Sequence, residues 1–200
     1  MPELYKDLPK FDDGRLYLLV DAAHATDKLK RRSVTGIAAL LCNAAVAYKS
    51  KLQPLVASSS TEAEFYAASD AAKMAIYLRS ILDEMGMVQD APTPIGVDNS
   101  AVIDISDRSA PTSRVRHIEI RFFQLQQFVT DLLVRFFKVH GPSNASDSAT
   151  KALTTTPHLT HSRFLMNHYD RSSVSVSETS SSTEVGEGVR DRKAGLAGRD

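Results

Sequence analysis

The stretch Ser59-Ser60-Thr61-Glu62-Ala63-Glu64 decides how the middle of this chain folds. Ser59 and Glu62 have the S-x-x-E spacing of a capping box, which predicts that a helix begins here. The apolar residues that follow recur every three or four positions, so they form one stripe that faces a core. They are Ala68, Ala71, Ala75, Leu78, Leu82 and Met85. Four positions before Ala68 stands Glu64, so a carboxylate occupies the first position of the buried stripe.

A carboxylate in a buried stripe needs an explanation. An ionised carboxylate loses its hydration on burial, and the loss is tolerated only with a partner, a proton or a metal ion. In the simpler interpretation Glu64 lies half-solvated in the first helical turn, where the helix dipole favours an acid. In the other interpretation Glu64 helps to bind a cation. That second hypothesis requires further carboxylates at the same end of the fold.

The composition limits the possible classes of protein. The 200 residues include 24 basic and 24 acidic side chains, so the overall charge does not indicate a polyanionic partner. The single cysteine, Cys42, cannot form an internal disulfide, which fits a reducing compartment. No signal segment is visible in residues 1–14, and no apolar run reaches the length of a membrane span. We expect a soluble, intracellular protein with no membrane partner.

Strand and helix patterns alternate along the chain. Apolar runs predict strands at 16–20, 34–42, 46–50, 95–97 and 133–139, with Asn43 in a hairpin turn. Further helices are predicted at 101–105, from about residue 117, and at about 146–153. This order predicts an α/β domain over residues 15–169 behind a leader, residues 1–14. Residues 170–200 are rich in Ser, Thr, Gly and Arg, which predicts a disordered tail.

Four carboxylates have related positions in this pattern. Asp21 and Asp98 each follow an apolar strand, and Glu64 and Asp147 each lie in the first turn of a helix. Ligand sites in α/β folds lie at such strand ends. Four acids in one pocket repel one another unless divalent cations are bound, and oxygen ligands favour Mg²⁺ or Mn²⁺. Taken singly, Asp98 is also explained as a cap or turn residue, and Asp147 as a helix-start charge.

A basic group precedes the predicted helix near residue 117. It consists of Arg114, Arg116, His117 and Arg121. Cations at a helix start oppose the helix dipole, and a bound anion would relieve this. A nucleic-acid backbone is one such anion, and arginine is suited to phosphate. The alternative is a solvated face paired with Glu119 and Asp131.

Four motifs occur in a fixed order and carry a family resemblance. They are Val20-Asp21-Ala22-Ala23-His24-Ala25, Ser59-Ser60-Thr61-Glu62-Ala63-Glu64-Phe65, Val97-Asp98-Asn99-Ser100-Ala101 and Arg116-His117-Ile118-Glu119-Ile120-Arg121. Together they resemble the ribonuclease H domain at the C-terminal end of Ty1/copia-type retrotransposon polyproteins. The similarity covers roughly residues 15–169. Two departures are Ala23 and His24, where the family usually has an acid and a tryptophan, and a more polar final helix around Asp147.

The resemblance implies a ribonuclease H-like α/β fold with a mixed five-stranded sheet flanked by helices. By position, Asp21, Glu64, Asp98 and Asp147 match the family's four metal-binding acids. The implied activity is hydrolysis of the RNA strand of RNA–DNA hybrids by two Mg²⁺ or Mn²⁺ ions, which lie roughly 4 Å apart in such sites. Asp21 is expected to bridge these two ions.

The resemblance also suggests contacts and partners. Arg114, Arg116, His117, Arg121 and Asn99 are expected to contact nucleic acid, and the loop residue His140 resembles a product-release histidine of other ribonucleases H. A reverse transcriptase polymerase domain, in cis or in trans, is an expected partner. We expect a cytoplasmic location, with retrotransposon particles or the nucleus as alternatives.

Two other functions remain open at the level of sequence. The chain could be a decayed or co-opted fragment that binds nucleic acid or protein without cleavage. It could instead be another nuclease of the same fold, with an integrase-like or resolvase-like core.

Overall fold

A computed structural model of the protein describes residues 3–6, 8, 14–106 and 119–168. The strands are β1 (Leu16–Ala23), β2 (Val34–Leu41), β3 (Ala44–Leu52), β4 (Thr93–Val97) and β5 (Val134–Lys138). The α-helices are α1 (Ser60–Glu84), α2 (Ser100–Ser106), α3 (Glu119–Thr130) and α4 (Thr155–Leu165). Short 3-10 helices cover Glu3–Tyr5, Gly141–Ser143 and Ala145–Ala149.

The described strands form one five-stranded mixed sheet in the order β3-β2-β1-β4-β5. Strands β1, β2 and β3 pair antiparallel through short connections. The β2–β3 turn is made by Cys42 and Asn43, whose φ angles are +49° and +61°, as a tight hairpin requires. Strands β4 and β5 run parallel to β1. The predicted α/β fold with a mixed five-stranded sheet is therefore confirmed.

Each face of the sheet carries its own apolar core. Along β1, Leu18 and Val20 belong to a cluster that α1, α2 and α3 cover, whereas Tyr17 and Leu19 belong to a second cluster with Phe164 of α4. This division follows from the alternation of side chains along a strand. The second cluster also includes Tyr5 and Leu8, so two residues of the predicted leader are buried. The predicted boundaries of leader, domain and tail stay predictions, and residues 170–200 lie outside the described ranges.

Helix α1 begins as the sequence predicts. Ser59 is its N-cap, and the side-chain oxygen of Ser59 accepts the backbone N–H of Glu62 at 3.1 Å. The Glu62 carboxylate reaches back one residue further than a capping box requires and accepts the backbone N–H of Ser58. Within the stripe Ala68, Ala71, Ala75 and Leu82 are buried and Leu78 is half-buried. Met85 is 66% exposed and follows the last helical residue, Glu84.

Two predicted element boundaries are wrong. Asp21 lies inside β1 rather than after it, because β2 continues the ladder and pairs Asp21 with Gly36 and Ala23 with Val34. The predicted final helix at 146–153 is a 3-10 helix over Ala145–Ala149. Its short polar side chains bond to the local backbone, as Ser148 Oγ does to the Ala145 carbonyl, and such bonds compete with an α-helix.

Helix α4, over Thr155–Leu165, was not predicted from the sequence. Its Pro157 is tolerated because the first helical turn has no internal partner for the missing N–H. The helix buries His161, Phe164 and Leu165 against the second face of the sheet. Within the described ranges, no helix combines the length and the apolar character needed to cross a bilayer.

Candidate metal centre

Asp21 lies near the end of β1 and is only 1% exposed. Because side chains alternate along a strand, Asp21 shares the sheet face of Leu19 rather than that of Val20. On that face the segment 145–151 covers the strand, and the Thr150 hydroxyl donates a hydrogen bond to Asp21 Oδ2. The strand therefore holds this carboxylate beneath a loop, away from bulk water.

Glu64 reaches the same place from the start of α1. It is 7% exposed, and Oε1 accepts the backbone N–H of Ala22 at 3.3 Å. The cap at Ser59 fixes where the helix begins, and the apolar stripe fixes which side of it faces the sheet. Together these two features direct Glu64 toward the end of β1, as the sequence predicts.

Asp98 completes the group from the end of β4. The parallel pairing joins Leu19 to Gly96, so Asp21 and Asp98 each stand two residues beyond this pair. Within this pair, Gly96 leaves no room for a side chain, because a Cβ there would lie 2.5 Å from Val139 Cγ2 and 2.9 Å from Leu19 Cδ2. Lys138 of β5 donates a hydrogen bond to the Asp98 carbonyl, which fixes the backbone at this strand end.

The three carboxylates converge closely enough to bind one cation. One oxygen from each of Asp21, Glu64 and Asp98 lies within 4.8 Å of the others. Two oxygens on opposite sides of a Mg²⁺ ion stand about 4.2 Å apart, since each Mg–O bond is about 2.1 Å. The group is thus slightly wider than a closed magnesium site and needs only small side-chain movements to form one.

The electrostatics of this group reflect burial and repulsion. Burial first, then the charges of Asp98 and Asp21, raise the pKa of Glu64 to about 8. Burial and the charge of Asp21 also raise the pKa of Asp98, against the opposing effect of Lys151 and Lys138. A cation bound among these carboxyl groups would offset their mutual repulsion and favour their ionised forms.

Two buried oxygens test whether the residues fit a metal ion. Among the described side chains, Asp21 Oδ1 and Glu64 Oε2 are buried without a hydrogen-bond partner. A buried polar atom without a partner is unfavourable and rare in folded proteins. A hard divalent cation would satisfy both atoms with the ligand type it prefers. The donor set therefore fits Mg²⁺ or Mn²⁺.

Asp147 stands beside these three carboxylates rather than among them. Burial first, then the charge of Asp21, raise the pKa of Asp147 to about 6. Lys151 lies between the two acids, with Nζ 3.1 Å from Asp147 Oδ1 and 3.3 Å from Asp21 Oδ2. The structure thus brings Asp147 next to Asp21, as expected, but through an ion pair with a lysine.

The residues predicted to contact nucleic acid have different outcomes. Arg114, Arg116 and His117 lie outside the described residues. Arg121 bonds to Asp70 at 3.2 Å and lies over the ring of Tyr66, 4.8 Å from its centroid. Asn99 precedes α2, and its side-chain oxygen accepts the backbone N–H of Ala101 at 2.9 Å. His140 is exposed in the loop after β5. Their roles toward nucleic acid stay predictions.

The sequence analysis missed three residues around Asp21. Thr150 and Lys151 contact its carboxylate, and Gly36 faces it across the β1–β2 pair. The four-residue spacing of Asp147 and Lys151 is that of a helical ion pair and could have drawn attention to the lysine. No sequence signal links Thr150 or Gly36 to Asp21, because the contacts join distant segments.

Comparison with known proteins gives related polyproteins. The chain is 34% identical over 133 residues to the retrovirus-related Pol polyprotein from transposon TNT 1-94 of Nicotiana tabacum, covering 66% of the chain and 10% of that relative. It is 28% identical over 149 residues to the retrovirus-related Pol polyprotein from transposon RE1 of Arabidopsis thaliana, covering 74% of this chain and 10% of that relative. The chain spans about a tenth of the length of these curated relatives. No profile of a known protein family matches it.

Solved structures with the same fold are ribonucleases H. The N-terminal RNase H domain of a Mycobacterium tuberculosis protein has a TM-score of 0.51 at 10% identity, covering 68% of this chain and 91% of that one. LC11-RNase H1, isolated from compost, has a TM-score of 0.53 at 11% identity, covering 68% of this chain and 93% of that one. RNase H1 of Halobacterium salinarum has a TM-score of 0.51 at 14% identity, covering 68% of this chain and 95% of that one.

The sheet order, the acidic centre at its strand ends and these structures define a ribonuclease H-like fold. The homologues of the chain are Pol polyproteins of copia-type retrotransposons. The predicted resemblance is thereby confirmed.

Proposed function

We propose that this protein is a metal-dependent endonuclease that hydrolyses the RNA strand of RNA–DNA hybrids. One observation carries the proposal: Asp21, Glu64 and Asp98 converge within 4.8 Å, and two of their buried oxygens have no partner among the described residues. The ribonuclease H-like fold makes phosphodiester hydrolysis the chemistry that this acidic centre suits best.

The carboxylates would bind Mg²⁺ or Mn²⁺ and position it against the scissile phosphate. A bound divalent ion supplies Lewis acidity toward the phosphate and activates water for attack. In the proposed reaction water attacks phosphorus in line and gives up a proton to solvent, and the bond from phosphorus to the 3′ oxygen breaks. The released 3′ oxygen takes up a proton to become a hydroxyl, and the other fragment keeps a 5′ phosphate. Asp21, held rigidly by β1 and Thr150, would be the fixed point of this centre. The sequence prediction of two ions remains part of the hypothesis.

Substrate contacts are proposed on both sides of the acidic centre. Asn99 directly follows Asp98 and is partly exposed, so its amide could bond to a sugar or phosphate near the metal. Arg121 presents a guanidinium that is partly exposed above Tyr66. The basic residues Arg114, Arg116 and His117 and the loop residue His140 complete the proposed nucleic-acid contacts.

A cleavage assay tests the proposal directly. The 200-residue chain is incubated with a labelled RNA–DNA hybrid, with Mg²⁺ or with EDTA. We expect cleavage of the RNA strand only with the metal, leaving 3′-hydroxyl ends, and a loss of about 100-fold or more in Asp98→Asn. Asp104→Asn, at an exposed position of the adjacent α2, is the matched control. Unchanged cleavage in Asp98→Asn would refute the assignment of the site.

Binding without cleavage is the second candidate. One observation favours it: Asp147, the fourth expected ligand, is engaged by Lys151 and lies outside the group of three. In that case the hybrid binds but stays intact with either Mg²⁺ or Mn²⁺. Preferential cleavage of duplex DNA would point instead to an integrase-like or resolvase-like activity.

The wider setting is also proposed from the relatives. Because they are Pol polyproteins, a reverse transcriptase polymerase domain in cis or in trans is the proposed protein partner. The single cysteine fits a reducing compartment. We propose the cytoplasm, with retrotransposon particles or the nucleus as the alternatives.

A further inference from the structure

Lys151 occupies a defined position in the acidic centre. Its ammonium nitrogen lies 3.3 Å from Asp21 Oδ2 and 3.1 Å from Asp147 Oδ1. The backbone of this segment is fixed, since the N–H groups of Thr150 and Lys151 both donate to the Asp147 carbonyl, at 3.1 and 3.0 Å. A short structured turn therefore brings the lysine to the two carboxylates, with its side chain 44% exposed.

The two oxygens of Asp21 have separate roles in this arrangement. Oδ2 accepts from the Thr150 hydroxyl and the Lys151 ammonium. Oδ1 has no partner within the described residues, and neither does Glu64 Oε2. One side of the Asp21 carboxylate is thus satisfied by the protein itself, while the other needs a ligand from outside.

A divalent ion shared by Asp21 Oδ2 and Asp147 Oδ1 would occupy the place of the Lys151 ammonium. Such an ion would bind each oxygen at about 2.1 Å, which is the Mg–O distance. The ammonium stands between the same two oxygens, so the lysine and this ion exclude each other. The lysine also supplies positive charge at this point, which lowers the attraction for a second cation.

We propose that Lys151 takes the place of a second metal ion, so that the centre binds a single divalent cation between Asp21 Oδ1, Glu64 and Asp98. The inference rests on the proposed metal-dependent function and replaces its two-ion form. Lys151 is a positioning residue here, because it acts through Asp21 and Asp147. Thr150 assists by fixing the orientation of the Asp21 carboxylate.

Counting bound ions tests the inference. Mn²⁺ is titrated into metal-free protein up to millimolar concentrations, and electron paramagnetic resonance measures the free ion. The variants are Lys151→Met, which removes the charge but keeps the length, and Lys151→Arg, which keeps the charge. The control is Lys73→Met on the exposed face of α1. We expect one bound ion in the wild type, Lys151→Arg and Lys73→Met, and two in Lys151→Met.

The outcomes separate this inference from the proposed function. Two ions in the wild type, or one ion in both the wild type and Lys151→Met, would overturn the role of Lys151 while leaving a metal-dependent nuclease intact. No bound ion in any variant would overturn both. If Lys151→Met does not fold, Lys151→Gln takes its place: two ions in Lys151→Gln against one in the wild type support the inference, and equal counts contradict it.

Thermal unfolding provides a second readout without metal. Lys151→Met leaves the buried Asp21 and the neighbouring Asp147 without their cation, so its midpoint in EDTA should fall well below that of Lys73→Met. Adding Mn²⁺ should raise the unfolding midpoint of Lys151→Met by more than it raises that of the wild type, because a new ion site becomes available. Equal responses to Mn²⁺ in both proteins would count against the inference.

Discussion

Gly36 faces Asp21 across the antiparallel pair of β1 and β2, and this pairing lets the segment 145–150 approach the three carboxylates. A Cβ at Gly36 would lie 2.6 Å from Thr150 Cγ2, 2.8 Å from Ala149 Cβ and 2.8 Å from the Ser146 carbonyl oxygen. The absence of a side chain at residue 36 is therefore what allows Thr150 to reach Asp21.

Gly36→Ala should push the 145–150 segment away from the sheet. Overpacking of this kind lowers the free energy of unfolding by about 1–3 kcal/mol, measured by urea denaturation. Gly141→Ala is the matched control, because a Cβ there meets nothing within 4 Å. Equal stability of the two variants would show that the segment packs less tightly than described.

Asp98→Asn should stabilise the metal-free protein even though it should abolish cleavage. The charge of Asp98 raises the pKa of Glu64, and that of Asp21 raises the pKa of Asp98, so removing it relieves repulsion. We expect an increase in the free energy of unfolding in EDTA, because the repulsion among the carboxylates is reduced. The gain should disappear in excess Mn²⁺, where the wild-type carboxylate becomes a ligand. A loss of stability in EDTA would argue against repulsion at this site.

The stability of the metal-free protein should fall as the pH rises. Burial raises the pKa of Glu64 from 4.5 to about 8, so the folded state holds its proton more tightly than the unfolded state. The contribution of Glu64 is complete below about pH 4.5 and is lost progressively toward pH 8. Denaturation in EDTA at several pH values measures this, and Glu64→Gln should flatten the decline over that range. If the free energy of unfolding of Glu64→Gln declined with pH as steeply as that of the wild type, Glu64 would not be the group responsible for the decline.

Metal binding should release a proton at neutral pH. Because the pKa of Glu64 is raised to about 8, a cation must displace its proton, and affinity for Mn²⁺ should rise by up to about tenfold per pH unit below that value. Calorimetric titrations in buffers of different ionisation enthalpy measure the protons released. The release should vanish in Glu64→Gln, and a release that persists there would identify another acid as its source.

Arg121 should contribute to hybrid affinity through phosphate contact. Arg121→Met should lower affinity and reduce the slope of log affinity against log salt by about 1. Arg135→Met is the control, because Arg135 lies at the start of β5, at the sheet end opposite the carboxylates. Fluorescence anisotropy at several salt concentrations measures both. Equal slopes in the two variants would restrict Arg121 to its contacts with Asp70 and Tyr66.

Much of the fold could be read from local pattern. The buried runs that became β1 and β4, and the capped, periodic stretch that became α1, are dictated by side-chain alternation and helical spacing. Those rules also placed Asp98 and Glu64 at element ends and Asp21 near the end of β1, so their meeting could be expected. Local pattern failed at 145–153, where the Ser148 and Thr150 hydroxyls bond to nearby backbone carbonyls. The Ser146 hydroxyl bonds to the side-chain oxygen of Asn144, and the helix is shortened.

The sequence by itself determined the order of the five strands and of helices α1, α2 and α3, and it placed acids near their ends, because hydrophobic periodicity and capping act over a few neighbouring residues. Only the tertiary structure decided how the charge of those acids is balanced. Lys151 meets Asp21 across 130 positions, and Thr150 meets it because Gly36 leaves room. Such contacts depend on how separate segments pack, and no local spacing encodes them.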